Sequence, residues 1–141
     1  MKAEPIVIER TINAPSAKVW EAITDKDLMK QWYFDIADFK PEPGFNFEFA
    51  GENEGRYYRH LCTIEEVEDG KKIKHSWRYD GYEGNSYVTW ELFPEGEKTN
   101  VKLTHEGVET FPSDTKDFAR KNFVMGWTEI VGNLLPNFLK G

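Results

Sequence analysis

One cysteine, Cys62, stands in 141 residues, so no disulfide can form within the chain. Positive charge is also in short supply: 18 Lys and Arg face 25 Asp and Glu, a net charge of −7. That balance argues against nucleic-acid binding, which needs a basic surface to displace counterions from phosphates. It argues equally against an anionic membrane as the main partner. No apolar run approaches the length of a membrane-spanning helix. The opening Met1-Lys2-Ala3-Glu4-Pro5 has none of the apolar stretch of a signal peptide. A cytoplasmic protein with no integral membrane segment is the expectation. There is no glycine-rich phosphate loop and no dinucleotide fingerprint. There is also no low-complexity tract and no internal repeat, so one domain over residues 1–141 is expected.

What the chain does have is aromatic bulk. Aromatic residues make up 15% of it, as ten Phe, six Tyr and five Trp. Such side chains supply large rigid apolar area for a core or a cavity wall. Hydrophobic residues at 39% and charged residues at 30% fit a soluble globular chain.

The apolar spacing changes twice along the chain. Ile6-Val7-Ile8 with Ile12 reads as a first strand. Ala14-Pro15 opens a helix with the stripe Val19, Trp20 and Ile23. Thr24 or Asp25 caps a second short helix carrying Leu28, Met29 and Trp32. From Asp35 to Gly107 the period becomes two, as in Phe45-Phe47-Phe49, Ile73-His75-Trp77-Tyr79, Val88-Trp90-Leu92 and Val101-Leu103. That alternation predicts about six antiparallel strands with one buried and one wet face. Asp69-Gly70, Asp80-Gly81 and Pro94-Glu95-Gly96 supply turns. Finally Phe123, Trp127, Ile130, Val131, Leu134 and Phe138 recur at helical spacing. They predict one long helix from Ser113 or Asp114 to about Leu139, kinked or frayed near Pro136. The fold class is therefore α+β: a curved antiparallel sheet of six to seven strands, two short helices, and a long C-terminal helix over the apolar face.

Strand parity points all three histidines inward. A two-residue turn at Asp69-Gly70 sets Ile64 opposite His75, Cys62 opposite Trp77 and His60 opposite Tyr79, with Val67 hinting at a bulge. The 94–99 turn sets Val88 opposite His105, Trp90 opposite Leu103 and Leu92 opposite Val101. Three histidines suggest zinc, but His60 and His105 lie about three strands, or ~14 Å, apart. Zinc ligands must all reach within ~2.1 Å of the ion, so no metal is assigned. Cys62 has no Cys–His motif around it and reads as a small buried hydrophobe.

These segments resemble a known family. Ala14-Pro15, Val19-Trp20-Glu21-Ala22, Thr24-Asp25, Trp32 and Trp77 match the START-like (SRPBCC) superfamily in order and spacing. So do Val88-Thr89-Trp90-Glu91-Leu92, Leu103-Thr104-His105-Glu106-Gly107 and Gly126-Trp127 with Leu134-Leu135. Within that superfamily the chain more closely resembles bacterial relatives of the C-terminal domain of the activator of the 90-kDa heat-shock chaperone's ATPase. The resemblance implies a helix-grip fold with a cavity between sheet and long helix. Superfamily members bind lipids, sterols, polyketides or plant hormones. It carries no universal catalytic motif, so no catalytic residue and no cofactor is assigned.

The expected function is non-catalytic binding of a small apolar or amphipathic molecule. A chaperone partner of the ATPase-activator type is the first alternative. An enzyme using cavity His and Tyr groups is the second. The expected pocket takes Phe47, His60, His75, Trp77, Tyr79, Val88 and Trp90 from the sheet. From the helix it takes Trp127, Ile130, Val131 and Leu134. Trp20 and Trp32 are expected to be structural.

Overall fold

Alternating apolar and polar residues build six strands: β1 (Ile6–Ile12), β2 (Asn46–Asn53), β3 (Arg56–Glu68), β4 (Lys72–Tyr79), β5 (Ser86–Glu95) and β6 (Lys98–Glu106). They form one antiparallel sheet in the order β1-β6-β5-β4-β3-β2. The computed structural model describes residues 4–36, 38–53, 56–112 and 114–140. Among the described residues five strands, rather than about six, follow the short helices.

The helices precede and follow that run of strands. α1 (Ser16–Thr24) and α2 (Lys26–Trp32) come directly after β1. Asp25, rather than Thr24, caps α2: its carboxylate accepts from the backbone N–H of Asp27 at 2.9 Å and of Leu28 at 3.3 Å. At the other end, α3 (Arg120–Glu129) passes through a π turn (Ile130–Leu134) into α4 (Leu135–Lys140).

Two deviations in the β3–β4 hairpin cancel. Glu68 pairs with Lys72, so the loop has three residues rather than two. A bulge between Ile64 and Glu66 then restores the expected register, with Ile64 opposite His75 and His60 opposite Tyr79. The β5–β6 hairpin needs no correction: Val88 pairs with His105, Trp90 with Leu103 and Leu92 with Val101. Gly96, at φ 68°, makes its tight turn.

The long helix starts later than its polar residues suggest. Of the two expected caps, Ser113 lies outside the described residues, and Asp114 is exposed in a turn. A 3₁₀ turn (Lys116–Phe118) comes first, and α3 begins at Arg120 with Ala119 before it. Phe118 and Phe123 are five positions apart, which breaks the three–four spacing. Phe118 therefore turns onto the sheet from its own 3₁₀ turn instead of extending the helical stripe.

Pro136 does not end the helix. Proline has no N–H to give the carbonyl one turn back. The backbone answers with the π turn just before it, in which the N–H of Leu135 bonds Ile130. The wider turn delays the helical phase. Leu135 is fully buried, while Leu134 is 39% exposed.

The buried side chains form one continuous cluster. β5 and β6 contribute Val88, Val101 and Leu103, and the helix contributes Val131 and Leu135, all at zero exposure. α1 adds Val19 and Ala22, also fully buried. No helix among the described residues is long and apolar enough to cross a membrane.

Candidate functional site

The sheet–helix interface is filled at one end and open at the other. The open part is a cleft of about 440 Å³. β3 and β4 give it a floor of Tyr58, His60, Trp77 and Tyr79. α3 gives it a roof of Phe123, Met125, Gly126 and Trp127, with Ile130 from the π turn. Phe34, Gly51, Asp117, Phe118 and Asn122 close its sides.

The His60 imidazole is boxed by rings. It stacks on Phe49 at 4.5 Å and meets Trp77 and Tyr79 edge-on, each at 4.8 Å. Gly51 makes room for it: a Cβ there would sit 2.7 Å from His60 Cε1. His60 Nδ1 lies 3.0 Å from the Tyr58 carbonyl, which makes it a donor and leaves Nε2 as the acceptor of the neutral ring. Burial pushes its pKa down to about 4, opposed by the backbone carbonyls of Tyr58 and Phe49. The ring is therefore uncharged near neutral pH. Burial likewise raises the Tyr79 phenol far above its ordinary value, although the bond from Trp77 pulls it back. In that bond Trp77 Nε1 donates to Tyr79 Oη at 2.9 Å.

A buried chain of hydrogen bonds fixes the distance between floor and roof. Trp127 Nε1 donates to His105 Nδ1 at 2.9 Å. His105 Nε2 therefore carries the proton and donates to Ser86 Oγ at 2.7 Å. Ser86 Oγ donates in turn to the Trp77 carbonyl, also at 2.7 Å. The geometry superficially resembles a serine–histidine pair. Both residues are at zero exposure, however, and the serine proton is already committed to a carbonyl. Burial, reinforced by His75, holds the His105 pKa at about 3. The assembly is a strut that locks Trp127 of the helix to Trp77 of the sheet.

That lock decides where the cleft lies. Trp127 sits 5.4 Å from Trp77 and 5.9 Å from Trp90, centroid to centroid, so these rings are in contact. The space opens instead toward Tyr58, Tyr79 and Phe118, away from Trp90. Phe118 stacks on Tyr79 at 4.4 Å. Tyr58 donates its hydroxyl to the Asp117 carboxylate, tying the 3₁₀ turn to β3.

Of the eleven residues expected to line a pocket, the structure brings His60, Trp77, Tyr79, Trp127 and Ile130 together on the cleft. Phe47, His75 and Trp90 line a separate cavity of about 20 Å³ deeper in the core. Val88 and Val131 are fully buried and line neither space, and the π turn leaves Leu134 39% exposed. Tyr58 belongs to the cleft and continues the parity of His60 and Cys62, so that signal was present. Phe34, Asp117, Phe118 and Asn122 sit on irregular segments or at a helix start, where no period marks them. Trp32 donates Nε1 to the Ala22 carbonyl at 2.9 Å, bracing α2 on α1. Among the described residues, no three His, Cys, Asp or Glu side chains converge to hold a metal ion.

Solved structures share this architecture. Protein MLL2253 from Mesorhizobium loti superposes with a TM-score of 0.76 at 26% identity, covering 97% of each chain. CalU16 from Micromonospora echinospora gives 0.73 at 26% identity, over 96% of this chain and 75% of that one. DynU16, a protein of the dynemicin biosynthetic locus, gives 0.78 at 20% identity. The match covers 98% of this chain but only 48% of DynU16, so the chain spans about half that protein's length. Comparison with curated proteins gave no match. The family model described as "Activator of Hsp90 ATPase homolog 1-like protein" matches residues 13–139. The chain thus belongs to the activator of Hsp90 ATPase homolog 1-like family, within the START-like (SRPBCC) superfamily.

Proposed function

We propose that the chain binds one small hydrophobic or amphipathic molecule, without transforming it, in the cleft between β3–β4 and α3. The observation that carries this reading is the cleft itself. At about 440 Å³ it falls in the size range of small-molecule sites, and it joins aromatic walls to a few polar groups. A neutral His60 with an acceptor Nε2 suits orientation of a ligand hydroxyl or N–H. It does not suit proton donation, because a pKa of about 4 leaves almost no imidazolium at pH 7. His75, a second sheet histidine, lies away from the cleft with Nδ1 held by the Ser76 carbonyl at 2.9 Å. A cytoplasmic, single-domain binder is the corresponding cellular picture.

The test is a thermal-shift screen with a fatty acid, a sterol and a neutral bicyclic aromatic such as 2-naphthol, alongside native mass spectrometry of the purified protein. A ligand at one hundred times its dissociation constant adds about 2.7 kcal/mol, which raises the Tm by several degrees. If no probe raises the Tm and no ligand is carried through purification, the reading fails.

A second reading rests on the family match: the chain docks on a 90-kDa heat-shock chaperone and stimulates its ATPase. An unchanged ATPase rate at saturating concentration of the chain counts against it.

A further inference from the structure

Tyr33 carries a buried hydroxyl with no hydrogen-bond partner among the described residues. Its ring is held between aromatic neighbours, at 5.1 Å from Trp32 and 4.5 Å from Phe34, with Trp90 at 6.4 Å and Trp127 at 6.5 Å. Burial raises the phenol well above its usual pKa, so it keeps its proton and has one to donate. An unpaired buried hydroxyl costs the fold about what a lost hydrogen bond does, so its environment needs an account.

Tyr33 and His75 both line the core cavity of about 20 Å³. A cavity needs roughly 10–15 Å³ of probe-occupied volume to admit one water molecule, and the water needs at least two polar partners. His75 Nδ1 donates to the Ser76 carbonyl at 2.9 Å. Its Nε2 therefore holds the lone pair of the neutral imidazole. The lining residues Tyr33 and His75 thus carry one unpaired donor and one acceptor beside a space the size of a single water molecule. Among the other walls, Phe47, Ile73 and Met29 offer apolar contact, and the Trp32 indole N–H is already given to the Ala22 carbonyl. None of the cavity's lining residues is shared with the cleft.

We propose that this cavity is a binding site for one structural water, which accepts from Tyr33 Oη and donates to His75 Nε2. The water joins α2's C-terminal end to β4 and anchors the irregular segment 33–36. Phe34, the next residue, is a wall of the cleft, so the site bears on the shape of the cleft without belonging to it.

The test is a crystal structure of the full chain at about 1.5 Å together with the Tyr33→Phe variant. The expected result is a well-ordered peak within roughly 2.6–3.2 Å of both Tyr33 Oη and His75 Nε2, absent in Tyr33→Phe. The variant should melt about 3 °C lower, the shift expected for one lost hydrogen bond in a chain of this size. A raised or unchanged Tm overturns the proposal, since removing a truly orphaned hydroxyl relieves a penalty instead of breaking a bond. A wild-type map with no peak, or with Tyr33 Oη bonded to a protein carbonyl, overturns it too.

Discussion

The two ends of the helix–sheet interface use apolar residues of different shape to opposite effect. At the closed end Val131 and Leu135 of the helix, and Val88, Val101 and Leu103 of the sheet, are all at zero exposure. At the open end Trp127, Met125 and Ile130 face Tyr58, His60 and Tyr79 across about 440 Å³. The difference is branched aliphatic packing against aromatic plates. Branched side chains interdigitate to close density. Large flat rings, pinned by hydrogen bonds such as Trp127–His105 and Trp77–Tyr79, cannot collapse inward. The strut stands at the boundary between the two ends.

The largest expected effect is that of acid. His60, His75 and His105 have folded-state pKa values of about 4, 4 and 3, depressed from 6.5 chiefly by burial. The unfolded chain therefore takes up protons first as pH falls. The histidine contribution to stability is flat above pH 6.5 and drops between 6.5 and about 4, each histidine contributing up to roughly 1.4 kcal/mol per pH unit. Urea unfolding at pH 7.5, 6.0 and 5.0 measures the slope. A pH-independent midpoint would break the account of neutral, buried imidazoles.

Next comes the closed end itself. Leu135→Ala should cost about 2–5 kcal/mol, because the tight packing leaves a cavity that cannot relax away. Chemical denaturation reads it. Leu134→Ala, one position earlier but 39% exposed, should change stability by less than about 0.5 kcal/mol. Equal losses at the two positions would contradict the phase shift produced by the π turn.

The strut should give a middle-sized effect. Ser86→Ala strips the acceptor from His105 and the donor from the Trp77 carbonyl, at a cost of about 1–3 kcal/mol. It should also alter ligand affinity, since Trp77 and Trp127 both line the cleft.

The smallest effect on stability belongs to the open end. Met125 is 63% exposed on the lip of the cleft. Met125→Ala should shift stability by less than about 0.5 kcal/mol while weakening binding of a cleft ligand several-fold, read by titration. A stability loss without a binding change would reverse the assignment of the two ends.

The architecture was legible in the sequence because period and parity are local. Ile73, His75, Trp77 and Tyr79 alternate strictly, and all four are buried. Even the β3–β4 register came out right, though through two compensating deviations, a longer turn and a bulge. The position of the cleft was not legible. Parity says which face a side chain occupies, not how far the opposite layer stands from it. Val88 and Trp77 share a face, yet one is fully buried in the core and the other borders the cleft. The phase slip at Leu134 was hidden as well, because Pro136 reads as a helix end and its actual consequence lies one turn earlier. Phe34 and Phe118 carried no periodic signal at all, and they reach the cleft only through irregular chain.

The most direct measurement of the central claim follows the five tryptophan indole N–H signals by two-dimensional ¹⁵N–¹H NMR while 2-naphthol is titrated into the labelled protein. The account predicts saturable shifts of Trp77 and Trp127, which line the cleft, with Trp20 and Trp32 unmoved. Saturable shifts confined to Trp20 and Trp32, or no saturable shift at any of the five, would contradict it.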